Sequence, residues 1–83
     1  MSFRDFVDGL CNAGIEATVN GYRLKKVLGI SHSGLKLWMQ EGLPHSRNEA
    51  NHLVMDVQEL VCWLIDRGKV SHAGRLHDQF NTN

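Results

Sequence analysis

Apolar residues recur at helical spacing in four stretches of the chain, and capping and stop residues bound each stretch. The first stretch predicts a helix at about 3–13, because its apolar residues fall on one face: Phe3, Phe6, Val7 and Leu10. Ser2 and Asp5 would form a capping box at its start, and Gly14 would end it. Residues 15–19 are expected to form a short extended connection.

A second and a third helix follow, separated by a turn of three or four residues. The second helix is expected to begin at Asn20, a good N-cap, and to end near residue 28, since Gly29 readily adopts a helix-stop conformation. Its apolar face consists of Leu24, Val27 and Leu28. Ser31 would cap the third helix, at about 32–41.

The third helix has one apolar and one polar face. Leu35 and Trp38, three residues apart, are expected to be buried. Gly42 and Pro44 would end the helix and prevent its continuation. The other face is expected to expose five side chains: His32, Ser33, Lys36, Leu37 and Gln40.

A hairpin and a fourth helix come next. Residues 45–55 predict two short strands joined by a tight loop around Asn48–Asn51. Asp56, with Glu59 three residues later, would cap the fourth helix, and Gly68 would end it. The apolar positions of this helix are Leu60, Val61, Trp63 and Leu64.

The order helix, helix, turn, helix, hairpin, helix predicts a single domain that is mainly α with a small β-hairpin wing. Two helices on either side of a short turn are typical of a helix-turn-helix, so the predicted fold class is a winged helix-turn-helix. Three segments are expected: an N-terminal helix and connection at 1–17, the winged helix-turn-helix domain at 18–68 and a C-terminal tail at 69–83. The tail is expected to contain a weak helix at about 72–79 and a frayed end at 81–83.

Composition favours a small globular domain. The chain has 83 residues and a hydrophobic fraction of 42%, enough for one thin core. No apolar run reaches the ~18 residues of a membrane span, and the N-terminus lacks the apolar stretch of a signal peptide. Cys11 and Cys62 follow no metal-binding spacing and are few for a secreted domain, so we expect reduced core or near-core thiols in a cytoplasmic protein.

Charge is distributed unevenly along a chain whose formal net charge is zero. Residues 18–55 hold five basic residues against two acidic ones, a balance of +3. The remaining residues hold four basic residues against seven acidic ones, a balance of −3. A basic middle with acidic flanks allows a neutral protein to present a nucleic-acid-binding face.

The middle of the chain also resembles a known family. The segment VNGYRLKKVLGIS from Val19 to Ser31 is followed by Leu35, Trp38, Gly42-Leu43-Pro44, Asp56 and Trp63. This pattern resembles the small winged helix-turn-helix of lambda-type phage terminase small subunits and, more loosely, phage excisionases and MerR-type DNA-binding domains. The resemblance covers about 18–67 and implies DNA binding. Gly34 and Ser33 depart from it, because the family usually has threonine or serine at the first position and often arginine at the second.

A helix-turn-helix reads bases with polar side chains on the first turns of its second helix. We therefore expect major-groove contacts from His32, Ser33, Lys36, Leu37 and Gln40. Lys36 would favour guanine, Gln40 adenine and Leu37 a thymine methyl group. DNA-backbone contacts are expected from Tyr22, Arg23, Lys25 and Lys26. On the wing, Arg47 and Asn48 are expected to contact the minor groove or phosphates.

Each of these residues also has a purely structural interpretation. The basic residues of the second helix could be a solvated surface, and Trp38 and Trp63 are expected to be core residues rather than stacking platforms. The histidines show no ligand spacing with cysteines or carboxylates, so neither a metal nor another cofactor is expected. The sequence contains no activated-nucleophile pattern, Gly-rich phosphate loop or recognisable carboxylate pair, so it is not expected to be an enzyme.

Three functions remain open. The first is a sequence-specific double-stranded-DNA-binding protein of phage or mobile-element type, acting as an excisionase-like architectural factor or small transcriptional regulator in a bacterial host. The second is a packaging protein that recognises DNA as terminase small subunits do. The third is a winged-helix module used for protein contacts, such as a phage inhibitor of a host protein. Since few cations are available, a homodimer or cooperative oligomer is expected, or a protein partner such as an integrase, a polymerase or a terminase large subunit.

Overall fold

Five helices and three short strands make up residues 2–80, the part of the chain that the computed structural model describes. In chain order they are α1 (Phe3–Cys11), β1 (Thr18–Asn20), α2 (Gly21–Leu28), α3 (His32–Gln40), β2 (Ser46–Arg47), β3 (Leu53–Asp56), α4 (Val57–Asp66) and α5 (Val70–Phe80). Residue 1 and residues 81–83, with the expected frayed end, lie outside the described residues. The prediction of a single, mainly helical domain with a small antiparallel hairpin is confirmed.

The helix boundaries follow local chemistry, because side chains satisfy the backbone N–H groups that a helix start leaves free. Four predicted N-caps accept a hydrogen bond from the N–H three residues later: Ser2 from Asp5 at 3.2 Å, Asn20 from Arg23 at 2.8 Å, Ser31 from Gly34 at 3.0 Å and Asp56 from Glu59 at 2.9 Å. Gly29 and Gly68 take left-handed conformations, with φ of 67° and 76°, just beyond the ends of α2 and α4. The four caps and these two stops are confirmed.

The end of α1 differs from the prediction. The helix ends at Cys11, and Gly14 lies in the following connection instead of stopping it. The side chain of Gln58 on α4 reaches this point. Its amide nitrogen donates to the carbonyl oxygens of Leu10 at 3.0 Å and Cys11 at 2.8 Å, and its oxygen accepts from the N–H of Ile15 at 2.9 Å. A distant side chain therefore satisfies the end of α1, where a local glycine cap is expected.

A third strand, β1, lies where the sequence predicts only an extended connection. It pairs antiparallel with β3, with Val19 opposite Met55, and β3 pairs on its other side with β2. The strand order is therefore β1-β3-β2. A strand of three residues is too short to show an apolar alternation, so only its distant partner defines it.

Helix α5 is longer and better packed than the weak helix expected at about 72–79. It spans Val70–Phe80, and it packs against α4, α2 and α1. Ala73 and Leu76 are fully buried. The C-terminal part of the described chain therefore belongs to the core.

One core joins the helices and the sheet. Its largest fully buried side chains are Leu24, Met55, Val57, Leu60, Val61, Leu64 and Leu76. Leu35 and Trp38 are buried as predicted, and half-buried Trp63 packs on Trp38 with ring centroids 6.0 Å apart. His72 approaches Trp38 edge-on at 5.6 Å. Both tryptophans therefore take part in packing.

Cys11 and Cys62 are free, half-buried and close together, although 51 residues separate them in sequence. The Cys62 thiol donates to the Cys11 carbonyl oxygen at 3.4 Å. Burial raises the pKa of the Cys11 thiol, and its hydrogen bond to Cys62 and nearby negative charges act in the same direction. Cys11 is therefore protonated at neutral pH.

None of the helices in residues 2–80 combines the length and the apolar character needed to cross a bilayer. In the same residues, no three histidine, cysteine, aspartate or glutamate side chains converge on a point where a metal ion could be held.

Candidate nucleic-acid interface

The turn between α2 and α3 is short, and a hydrogen bond fixes each of its ends. It consists of Gly29, Ile30 and Ser31. The N–H of Ile30 donates to the Lys25 carbonyl oxygen at 3.1 Å, which closes the end of α2. One residue later, the Ser31 hydroxyl starts α3 through its bond to the Gly34 N–H. The chain therefore changes direction within three residues.

The burial of Leu35 and Trp38 fixes which face of α3 is exposed. The five side chains expected in the major groove are all exposed: His32, Ser33, Lys36, Leu37 and Gln40. Leu37 is 55% exposed, although it is a large apolar side chain. The polar edge of α3 is therefore open to a ligand.

On α2, three of the four side chains expected at the DNA backbone are exposed. Tyr22, Arg23 and Lys26 are exposed, whereas Lys25 is half-buried. The Lys26 ammonium lies over the Tyr22 ring at 4.8 Å, one helical turn away. Lys25 and Lys26 also lie in the last turn of α2, where a positive charge stabilises the helix dipole.

Arg23 makes a contact that the sequence does not predict. Its guanidinium lies over the ring of Phe80 at the end of α5, 4.8 Å from the centroid. Such a contact restricts the side chain but leaves its positive charge in place. Arg23 can still face a phosphate, although α5 covers part of it.

A groove separates α3 from the hairpin formed by β2 and β3. A cavity of about 400 Å³ is lined by His32, Leu35, Lys36, Met39, Arg47 and Leu53. A second one of about 340 Å³ shares some of these residues and extends to α2 through Tyr22 and Lys25. The fold thus brings five of the predicted residues together: Tyr22, Lys25, His32, Lys36 and Arg47. The other six line neither cavity: Arg23, Lys26, Ser33, Leu37, Gln40 and Asn48.

The hairpin loop uses its own polar side chains to hold its shape. The Asn48 side-chain oxygen accepts from the N–H groups of Ala50 and His52, each at 3.0 Å. Arg47 donates to the carbonyl oxygen of Asn51 at 3.0 Å, and Asn51 takes a left-handed conformation with φ of 64°. Asn48 is therefore primarily a loop-forming residue, and Arg47 is held at the edge of the groove.

Two polar residues near this surface are missing from the sequence-based set. His52 lines the groove beside Arg47 and Tyr22. Arg75 on α5 reaches the α2–α3 turn, where its guanidinium lies 3.9 Å from the position that a Cβ on Gly29 would take. His52 directly precedes Leu53, the residue paired with Arg47 in the hairpin, which offers a hint, whereas nothing local indicates where Arg75 lies.

Charge separates by element. The helices α2 and α3 and the strand β2 carry Arg23, Lys25, Lys26, Lys36 and Arg47, with no acidic residue on these three elements. Glu41, just after α3, is paired with Arg67. Glu49, the other acidic residue of residues 18–55, lies in the β2–β3 loop. Five positive charges against two negative ones leave this part of the chain with a net charge of +3, which attracts anions.

Comparisons with protein-family models, with curated proteins and with solved structures find no match to this chain. The likeness to phage terminase small subunits, excisionases and MerR-type domains therefore remains an expectation from the sequence pattern.

Proposed function

We propose that the protein binds double-stranded DNA sequence-specifically, through a winged helix-turn-helix made of α2, the Gly29–Ser31 turn, α3 and the β2–β3 hairpin. It would act as an excisionase-like architectural factor or a small transcriptional regulator of a phage or mobile element, in the cytoplasm of a bacterial host. We propose binding and not catalysis, without a cofactor.

One observation carries the proposal: His32 and Lys36 on the exposed face of α3 line a groove together with Tyr22 and Lys25 of α2 and Arg47 of β2, and these three elements contain no acidic residue. A short helix of this kind can place side chains against base edges while its neighbours contact phosphates. In this arrangement Lys36 and Gln40 would read bases, and Tyr22, Arg23, Lys25 and Lys26 would hold the backbone. Arg47 on the hairpin would contact the minor groove or a phosphate.

The first test is a titration of duplex DNA at two salt concentrations. If each of the five cations neutralises one phosphate, the affinity should fall roughly 500-fold between about 50 and 200 mM salt, from a slope of about −0.9 per phosphate.

Lys26→Ala should weaken binding to all sequences and reduce the slope by about one. Lys36→Ala should cost about 1–3 kcal/mol on the preferred sequence and relax the preference.

The matched control is Lys69→Ala, because this lysine lies outside the three cationic elements, beside Trp38. It should leave both the salt slope and the sequence preference unchanged. Identical behaviour of Lys26→Ala and Lys36→Ala would remove the assigned roles. An affinity that does not change with salt would remove the proposal.

A protein-contact module is the second candidate, favoured by the exposed Leu37 and by the cover that Phe80 gives Arg23. Such a module should bind duplex DNA weakly even at low salt.

A packaging role, as in terminase small subunits, would use the same surface but a different partner, a terminase large subunit. With so few cations, we also propose that the protein pairs with itself or binds cooperatively on DNA.

A further inference from the structure

A groove lies between α1 and α5, and none of its described lining residues belongs to the cationic elements α2, α3 and β2. Its volume is about 300 Å³, and its lining is mostly apolar. Phe6 and Leu10 contribute the apolar surface, and Gly9 and Gly74 leave room on the two helices. A Cβ at Gly9 would meet nothing within 4 Å, and one at Gly74 would meet only Phe6 at 3.9 Å.

Carboxylates lie at the edges of this groove. Asp5 lines it from α1 and Asp78 from α5. The side chain of Asp78 is 86% exposed, and its carboxylate lies 3.3 Å from the ring nitrogen of His77. An occupant that complements this groove therefore carries an apolar ring and a positive charge next to each other.

The chain itself offers such a segment at the start of α1. Phe3 is 70% exposed, the most exposed large apolar side chain among the described residues, and Phe6 one turn later is 45% exposed. Arg4 follows Phe3 directly, is exposed and forms no ion pair within residues 2–80. The ring and the cation that the groove requires thus lie on one of the two helices that form it.

We propose that two copies of this chain pair through α1 and α5. Phe3 of each copy enters the groove of the other, and Arg4 faces the carboxylate of Asp78. Because the donor segment and the groove share α1 within one molecule, the contact can be made twice about a two-fold axis and would close as a dimer. The inference rests on the pairing in the proposed function and does not require DNA binding.

The experiment measures the mass of the intact protein in solution without DNA, by sedimentation over a range of concentrations. The wild-type chain should approach twice its mass of 9.4 kDa. Phe3→Ala should weaken pairing, and Arg4→Glu and Asp78→Arg should each weaken it about tenfold or more, because each places like charges opposite each other. Both charged positions are exposed, and Asp78 lies near the C-terminal end of α5, where a positive charge favours the helix.

The decisive variant combines Arg4→Glu with Asp78→Arg, which restores opposite charges across the interface. The double variant should recover most of the pairing. If the single changes weakened pairing by damaging the fold, the two effects would add and the double variant would pair no better than either single variant. Glu16→Arg makes the same change of charge as Asp78→Arg at an exposed residue that does not line the groove, and it should pair like the wild type. A wild-type chain that remains at 9.4 kDa would overturn the proposal. So would a double variant that pairs no better than the single ones. Sedimentation without DNA tests pairing, and the duplex titration tests DNA binding. Failure of one proposal can therefore be distinguished from failure of the other.

Discussion

The side chain of Gln58 joins α4 to the end of α1 and to the connection after it. Its three backbone hydrogen bonds, to Leu10, Cys11 and Ile15, are partly buried. Water does not readily reach a partly buried carbonyl or N–H group. Each such group that loses its hydrogen-bond partner therefore costs free energy. Gln58 therefore holds the N-terminal helix against the rest of the domain.

Gln58→Ala should lower the free energy of unfolding by about 1–3 kcal/mol, since it removes the side-chain partner of the Leu10 carbonyl and of the Ile15 N–H and leaves the Cys11 carbonyl with the Cys62 thiol alone. For 83 residues the total is of order 4–12 kcal/mol, so the loss is a large share. A urea unfolding curve measures it as a lower midpoint with an unchanged slope. Gln79→Ala, at an exposed position on α5, should change the unfolding free energy by less than about 0.5 kcal/mol. Equal midpoints for the two variants would contradict the role of Gln58.

At the scale of elements, two glycines with different roles lie near the junction of α2 and α3, one in the turn and one in the first turn of α3. Gly29 has a left-handed φ of 67°, which a side chain makes unfavourable. Gly34 lies in the first turn of α3, and a Cβ there would meet the Ser31 hydroxyl at an ordinary 3.4 Å. The same substitution should therefore have opposite effects at the two positions.

Gly29→Ala should lower the free energy of unfolding by about 1 kcal/mol or more, because it strains the end of α2. Gly34→Ala should raise it by about 0.5–1 kcal/mol, because alanine is the better helix former. Urea unfolding of both variants beside the wild type measures the difference. A stabilised Gly29→Ala variant would show that the turn does not require a left-handed residue.

The elements that could be predicted are those defined by local chemistry. Ser2, Asn20, Ser31 and Asp56 each cap a helix through an N–H three residues away, so the sequence contains both partners. The strand β1 and the early end of α1 depend on β3 and on Gln58, which lie more than 30 residues further along the chain. The polar edge of α3 could be placed because Leu35 and Trp38 determine its opposite face. The contact of Arg23 with Phe80 could not, since it depends on how α5 packs.

At the scale of the whole molecule, α5 connects the two proposed surfaces. It forms one wall of the α1–α5 groove through Gly74 and Asp78, and it supports α2 through the ring of Phe80 beneath Arg23. A C-terminal segment that did not pack against the domain could neither form a wall of the groove nor support α2. The position of both surfaces therefore depends on how firmly α5 is anchored in the core, and the fully buried side chains of Ala73 and Leu76 supply that anchor.

Leu76→Ala tests this anchoring directly. Truncating a fully buried leucine should cost about 2–5 kcal/mol, because it removes buried apolar contacts and leaves a cavity. In a domain of this size the melting temperature should fall by roughly 10 °C or more. Leu37→Ala makes the same chemical change at a leucine that is 55% exposed, and it should leave the melting temperature nearly unchanged. Thermal unfolding followed by circular dichroism compares the two variants. If both variants melted like the wild type, α5 would not be anchored in the core. Neither the α1–α5 groove nor the contact of Phe80 with Arg23 would then have a structural basis.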